Sequence, residues 1–131
     1  MQNQPAAAEA SIMTTLARQN DAFRQAHMPI SFDGEMLRGR FVMTIRVARL
    51  DHEIVLGVLK KLREFEDFNS DNDPYGEHDF VAFSYPVDGR DQRFIFKIDY
   101  YSDASMNFAS SDPVNPSATY RTGVLMLACE Y

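Results

Sequence analysis

The sequence predicts an α+β fold, with two amphipathic helices packed on a small antiparallel sheet. Three observations carry this. Apolar residues recur at a spacing of three to four near the N-terminus and again from Ile54 to Phe65. Residues 41–47 alternate apolar and polar. Residues 79–101 contain two alternating runs around a polar turn, the pattern of an antiparallel hairpin.

The elements follow in order. Residues 1–10, rich in Gln and Ala with a proline, read as a flexible leader, and 11–131 as one domain. From Ser11, a plausible N-cap, Ile12, Leu16, Phe23 and Ala26 form one stripe. Arg18, Gln19, Asp21 and Arg24 are placed off that stripe, and Pro29 closes the segment. Residues 27–40 read as a loop with a turn at Asp33-Gly34. Phe41, Met43, Ile45 and Val47 then give a strand over 41–47 with one face on the core.

Asp51 is placed to cap the next helix, with Glu53 in its first turn. Ile54, Val55, Val58, Leu59, Leu62 and Phe65 make its apolar stripe. Gly57 costs up to about 1 kcal/mol relative to Ala in a helix, and suits close packing on the sheet. Residues 102–116 form a long loop in which Asn115 and Pro116 can open a helix. The apolar end of the chain fits a C-terminal helix or strand. Tyr120, Val124, Leu127 and Tyr131 keep helical spacing and favour helix, while Thr122, Gly123 and Val124 pull toward strand.

Charge is distributed unevenly. The formal net charge is −6. Residues 1–63 hold six acids and nine Lys/Arg, and residues 64–131 thirteen acids and four Lys/Arg. From Glu64 to Gly89 there are eight acids and no Lys or Arg. This argues against direct nucleic-acid binding by the C-terminal half and suits a basic protein surface as partner. No apolar run approaches the roughly 20 residues that cross a bilayer, so no membrane partner is expected. The single cysteine, Cys129, forms no internal disulfide, sits in an apolar run and reads as inert. A reducing cytoplasm is the expected location. The sequence implies no cofactor and leaves the oligomeric state open.

The densest chemistry lies in Asp71–Asp79, with four acids, a histidine, a proline and a glycine. Asp71, Asp73 and Gly76 match three positions of a calcium loop, but Tyr75 and Ala82 stand where further ligands are needed. A looser metal set of Asp71, Asp73, Glu77 and Asp79 is an alternative. Plain turn chemistry, with Asp and Asn side chains accepting backbone N–H groups, explains the same residues and is preferred. Were the protein an enzyme, His78 would be the acid or base, oriented by Asp99 across the hairpin and with Asp79 beside it in sequence. No nucleophile or zinc spacing supports that, and the reading leans against an enzyme. The favoured site is a partner-binding surface of Glu66, Asp67, Asp71, Asp73, Tyr75, Glu77 and Asp79. Lys97, Asp99 and Tyr101, which share one strand face, complete it.

Several segments together resemble an uncharacterised bacterial domain-of-unknown-function family. They are Asn20–Arg24, Asn72–Phe80, Phe96–Tyr101, Ser110–Pro113 and Met126–Tyr131. Its members are short proteins common on alphaproteobacterial plasmids, and the resemblance spans about residues 12–131. The family implies no activity, cofactor or catalytic residue. Its genomic setting implies a role tied to mobile elements. This chain departs where Cys129 replaces an acid and where Thr122 and Gly123 replace larger aliphatics. The expected function is a small acidic non-enzymatic interaction module, such as a mobile-element inhibitor of a host defence or nucleic-acid-binding protein. The alternative is a small metal-binding protein or hydrolase-like enzyme using His78, Asp79 and Asp99.

Overall fold

The structure, a computed structural model, describes residues 4–26 and 30–131, with side chains of the first helix from Thr15 onward. Helix α1 spans Gln4–Ala26 and so begins ahead of Ser11. Ser11 thus lies inside the helix and is not its N-cap, while the Ile12 side chain, Pro29 and residues 1–3 of the expected leader lie outside the described residues. Strands β1 (Ser31–Phe32) and β2 (Glu35–Met36) form a small hairpin. Its turn residues Asp33 and Gly34 have φ of 50° and 84°, the left-handed pair that a two-residue hairpin turn demands.

Strand β3 spans Arg38–Met43, and a short helix α2, Ile45–Ala48, follows. The strand expected over 41–47 therefore sits earlier and stops sooner. Thr44 ends it: its hydroxyl accepts the Val47 N–H and starts the helical turn. Val47 is buried as expected, but from that turn. Helix α3 covers His52–Glu64 with Asp51 at the cap position, although the Asp51 side chain makes no capping hydrogen bond. Its face buries Val58 and Leu62, with Ile54, Leu59 and Phe65 packed alongside.

Strands β4 (Phe80–Val87) and β5 (Arg90–Tyr101) form the expected hairpin. Asp88 and Gly89 turn it with φ of 52° and 80°. Asn115 caps a single 3-10 turn at Pro116–Ala118, accepting the Ser117 N–H. The last long element is strand β6, Tyr120–Leu127, not a helix. It lies inside a four-stranded sheet of order β3-β6-β5-β4. β6 is antiparallel to β5 and parallel to β3, so the sheet is mixed rather than wholly antiparallel. A strand paired on both edges, with buried residues on both of its faces, reads as one continuous apolar run. The helical spacing of Tyr120, Val124 and Leu127 is coincidental.

The fold has two layers. Val81, Phe83, Phe94, Phe96, Ile98, Leu125 and Leu127 project from one sheet face and meet Phe23 of α1 and Val58 and Leu62 of α3. Two glycines allow that closeness. A Cβ on Gly57 would overlap the Tyr85 hydroxyl, which is the close helix–sheet packing expected of it. A Cβ on Gly123 would stand 2.6 Å from the Phe96 ring and 3.1 Å from Phe23. Lys97, Asp99 and Tyr101 alternate with the core residues and so occupy the other sheet face.

Candidate functional site

The site is built from helix α1. Gln19, Asn20 and Arg24 were expected off the buried stripe or played no part in it, yet all three are buried, on the same side as Leu16 and Phe23. Arg24 donates to the Leu62 and Phe65 carbonyls at 3.0 and 3.3 Å, closing the end of α3. It also donates to Asp21 at 2.8 Å. These bonds fix where the acidic segment leaves the helix.

The segment then folds on its own side chains. Asn69 Oδ1 accepts the Asp71 and Asn72 N–H groups, and Asn72 Oδ1 accepts the Asn69 N–H. Asp73 Oδ1 accepts the N–H groups of Glu77 and His78 at 3.1 and 3.2 Å. The Asp73 side chain is only 7% exposed. Turn chemistry thus accounts for Asp73, Asn69 and Asn72.

His78 takes φ of 56° and aims its ring back at α1. Nδ1 lies 2.9 Å from Asp21 Oδ1, and Nε2 lies 3.5 Å from Asp73 Oδ2. The ring stacks on Phe68 at 3.8 Å, and the Arg24 guanidinium lies over Phe68 at 5.5 Å from its centre. Asp21, Arg24, Glu66, Phe68 and His78 line a cleft of about 280 Å³.

Behind the loop lies a buried polar network. Asn20 Nδ2 donates to the Glu77 carbonyl at 2.9 Å and to the Tyr100 hydroxyl at 2.7 Å. Tyr100 in turn donates to Asp79 at 3.2 Å. Burial pushes the Tyr100 phenol up, and the neighbouring Asp79 charge adds to that. Arg121, fully buried on β6, donates to Asn20 at 3.1 Å, to Gln19 at 2.7 Å and to the Pro113 carbonyl at 3.1 Å. It stacks over the Tyr100 ring at 5.6 Å. Burial lowers this guanidinium from its ordinary value. Burial also raises the Glu77 carboxyl, as do Asp79 beside it and Asp73.

The residues expected to bind a partner therefore divide into three groups. Asp73, Glu77 and Asp79 come together, but as inner members of the loop and network. Glu66, Asp67, Asp71 and Tyr75 are exposed, Tyr75 at 70%. Among the described residues, these three acids take part in no ion pair with Lys or Arg. Lys97, Asp99 and Tyr101 lie on the helix-free sheet face, where Lys97 pairs with Asp99 at 2.6 Å. That bond raises the Lys97 ammonium.

The alternative catalytic set is not assembled. His78 contacts Asp21 and Asp73, Asp79 serves Tyr100, and Asp99 holds Lys97. The reason is local: His78 stands before β4 with a left-handed backbone, so strand alternation does not aim it across the hairpin. Among the described residues, no three of His, Cys, Asp and Glu form a group that could hold a metal ion, and Asp71, Asp73, Glu77 and Asp79 are no exception. Cys129 is exposed in the turn after β6, 3.8 Å from an Arg46 nitrogen.

Sequence reasoning missed Gln19, Asn20, Asp21, Arg24, Tyr100 and Arg121 as site members. The available signal was spacing, because Asn20 and Arg24 share a helix face with Leu16 and Phe23. An arginine two positions ahead of the apolar terminal run was the second signal.

Residues 43–130 match the family described as Protein of unknown function (DUF3768). The chain belongs to this family. No curated protein and no solved structure matches the chain. The DUF3768 match covers α3, the acidic loop and most of the four-stranded sheet, and leaves α1 outside. In this DUF3768 protein, four of the segments that carried the resemblance meet in one network: Asn20–Arg24, Asn72–Phe80, Phe96–Tyr101 and Ser110–Pro113. Among the described residues, no helix is long and apolar enough to cross a membrane.

Proposed function

We propose that this protein is a non-catalytic interaction module that offers Glu66, Asp67, Asp71 and Tyr75 to a basic protein surface. One observation carries the reading. Among the described residues, the three exposed carboxylates have no Lys or Arg ion-pair partner, and they sit on a loop held by Arg24 at one end and by Asp73 and His78 at the other. A loop fixed before binding loses little entropy on docking. Unpaired surface carboxylates speed encounter with a cation-rich partner in a salt-dependent way. Tyr75 supplies the aromatic anchor such interfaces favour.

The plasmid setting of the resembling family supports a finer reading. The partner would be a host defence or other nucleic-acid-binding protein of the cytoplasm, whose phosphate-binding surface these carboxylates occupy. The test is Glu66→Lys, Asp67→Lys and Asp71→Lys together. Asp73 and Glu77 are unsuitable for reversal, because Asp73 organises the turn and Glu77 sits against Asp79. The triple variant is expected to fold normally and lose its basic partner. Unchanged partner capture would refute the proposal.

A further inference from the structure

We propose that the outer edge of β4 accepts an extended basic peptide as an added strand. This rests on the acidic rim just described and gives its partner a binding mode. β4 ends the sheet order, so one of its edges is unpaired. The Ile98 N–H donates to the Asp79 carbonyl at 2.9 Å, which sets the phase of the ladder. Val81, Phe83, Tyr85 and Val87 turn their backbone groups toward β5, and Phe80, Ala82, Ser84 and Pro86 turn theirs outward.

The far end of this edge is closed. Pro86 has no N–H to offer, and the Lys61 ammonium covers the Ser84 carbonyl. The near end is open. Among the described residues, nothing bonds the outward N–H and C=O of Phe80 and Ala82. That open stretch borders a cleft of about 510 Å³, where Ala82, Phe65 and Phe83 meet three acids, Glu64, Glu66 and Asp67, and two cations, Arg93 and the same Lys61. Arg93 is engaged with the Ser84 hydroxyl at 3.3 Å, and Glu64 with Lys60 at 3.2 Å. Glu66 and Asp67 are left to meet a cation. A strand laid on Ala82 would exchange main-chain hydrogen bonds with it and send alternate side chains toward these carboxylates.

The test uses the full chain and a fluorescein-labelled octapeptide of alternating Lys and Thr, read by fluorescence anisotropy. A Glu-Thr octapeptide is the charge control. A Lys-Thr peptide methylated at alternate amide nitrogens is the backbone control. Ala82→Pro removes the outward N–H in the register where Pro86 already stands, so β5 pairing is retained. The Lys-Thr peptide is expected to bind and the Glu-Thr peptide not to. Methylation or Ala82→Pro should each weaken binding about tenfold, the worth of one or two hydrogen bonds. Should Ala82→Pro fail to fold, the methylated peptide decides alone. Full binding by the methylated peptide, or no binding by any peptide, overturns strand addition. Glu66→Lys with Asp67→Lys separates the two ideas. If only that pair weakens binding, the acidic rim stands and strand addition falls. If only the backbone changes weaken it, the edge stands and the rim reading falls.

Discussion

Replacing Asn20 with alanine probes the network that fixes the loop. Asn20 is fully buried, donates two hydrogen bonds and accepts one from Arg121. Each bond contributes about 1 kcal/mol, roughly 3 kcal/mol together. The substitution also strands the Arg121 Nε, on a guanidinium whose Nη1 already has no partner. An unpaired buried donor on a charged group adds about 1–3 kcal/mol. The expected loss is roughly 4–6 kcal/mol, against a total of about 5–15 kcal/mol for a typical domain. For a chain of this length that lowers Tm by roughly 15 °C. Circular dichroism melts and urea titrations measure both quantities. A drop in Tm under about 4 °C, near 1 kcal/mol, would mean that the network does not carry the stability assigned to it.

Three further outcomes follow from the same geometry. Gly123→Ala places a methyl 2.6 Å from Phe96, and overpacking should cost about 1–3 kcal/mol in urea unfolding; a neutral or stabilising result would contradict the packing. Glu77→Gln should stabilise the protein at neutral pH. Its carboxyl is raised when folded, so wild-type stability falls as pH climbs from the ordinary carboxylate value through the raised one. The gap in urea midpoint between variant and wild type should widen over that window, and a constant gap would refute the cause. His78→Asn tolerates the left-handed backbone but removes the stack on Phe68 and the contact with Asp21. Amides of residues 65–79 should lose hydrogen-exchange protection while β5 and β6 keep theirs; equal protection would sink the clamp.

Much of the fold was legible in the sequence, and the exceptions share a cause. The β4–β5 hairpin was readable because period-two alternation and an Asp-Gly turn are local signals. The apolar stripe of α3 was readable for the same reason. β6 was not, because burial on both faces erases alternation, and only its neighbours reveal a strand. The end of β3 was missed because Thr44 caps a helix with apolar residues that also suit a strand. The partners of the candidate site were hidden by distance along the chain. Arg121 meets Gln19 across 102 positions and Asn20 across 101. A polar residue on a buried helix face looks exposed until its partner arrives from another element. His78 and Asp99 failed as a pair because one left-handed residue redirected a ring.

The most direct measurement compares proteins captured from bacterial lysate by the wild type and by the Glu66→Lys, Asp67→Lys, Asp71→Lys variant, identified by mass spectrometry. A strongly basic protein should be held by the wild type, be released as salt is raised, and be missing from the variant. The same protein held equally by both would show that these three carboxylates do not make the interface.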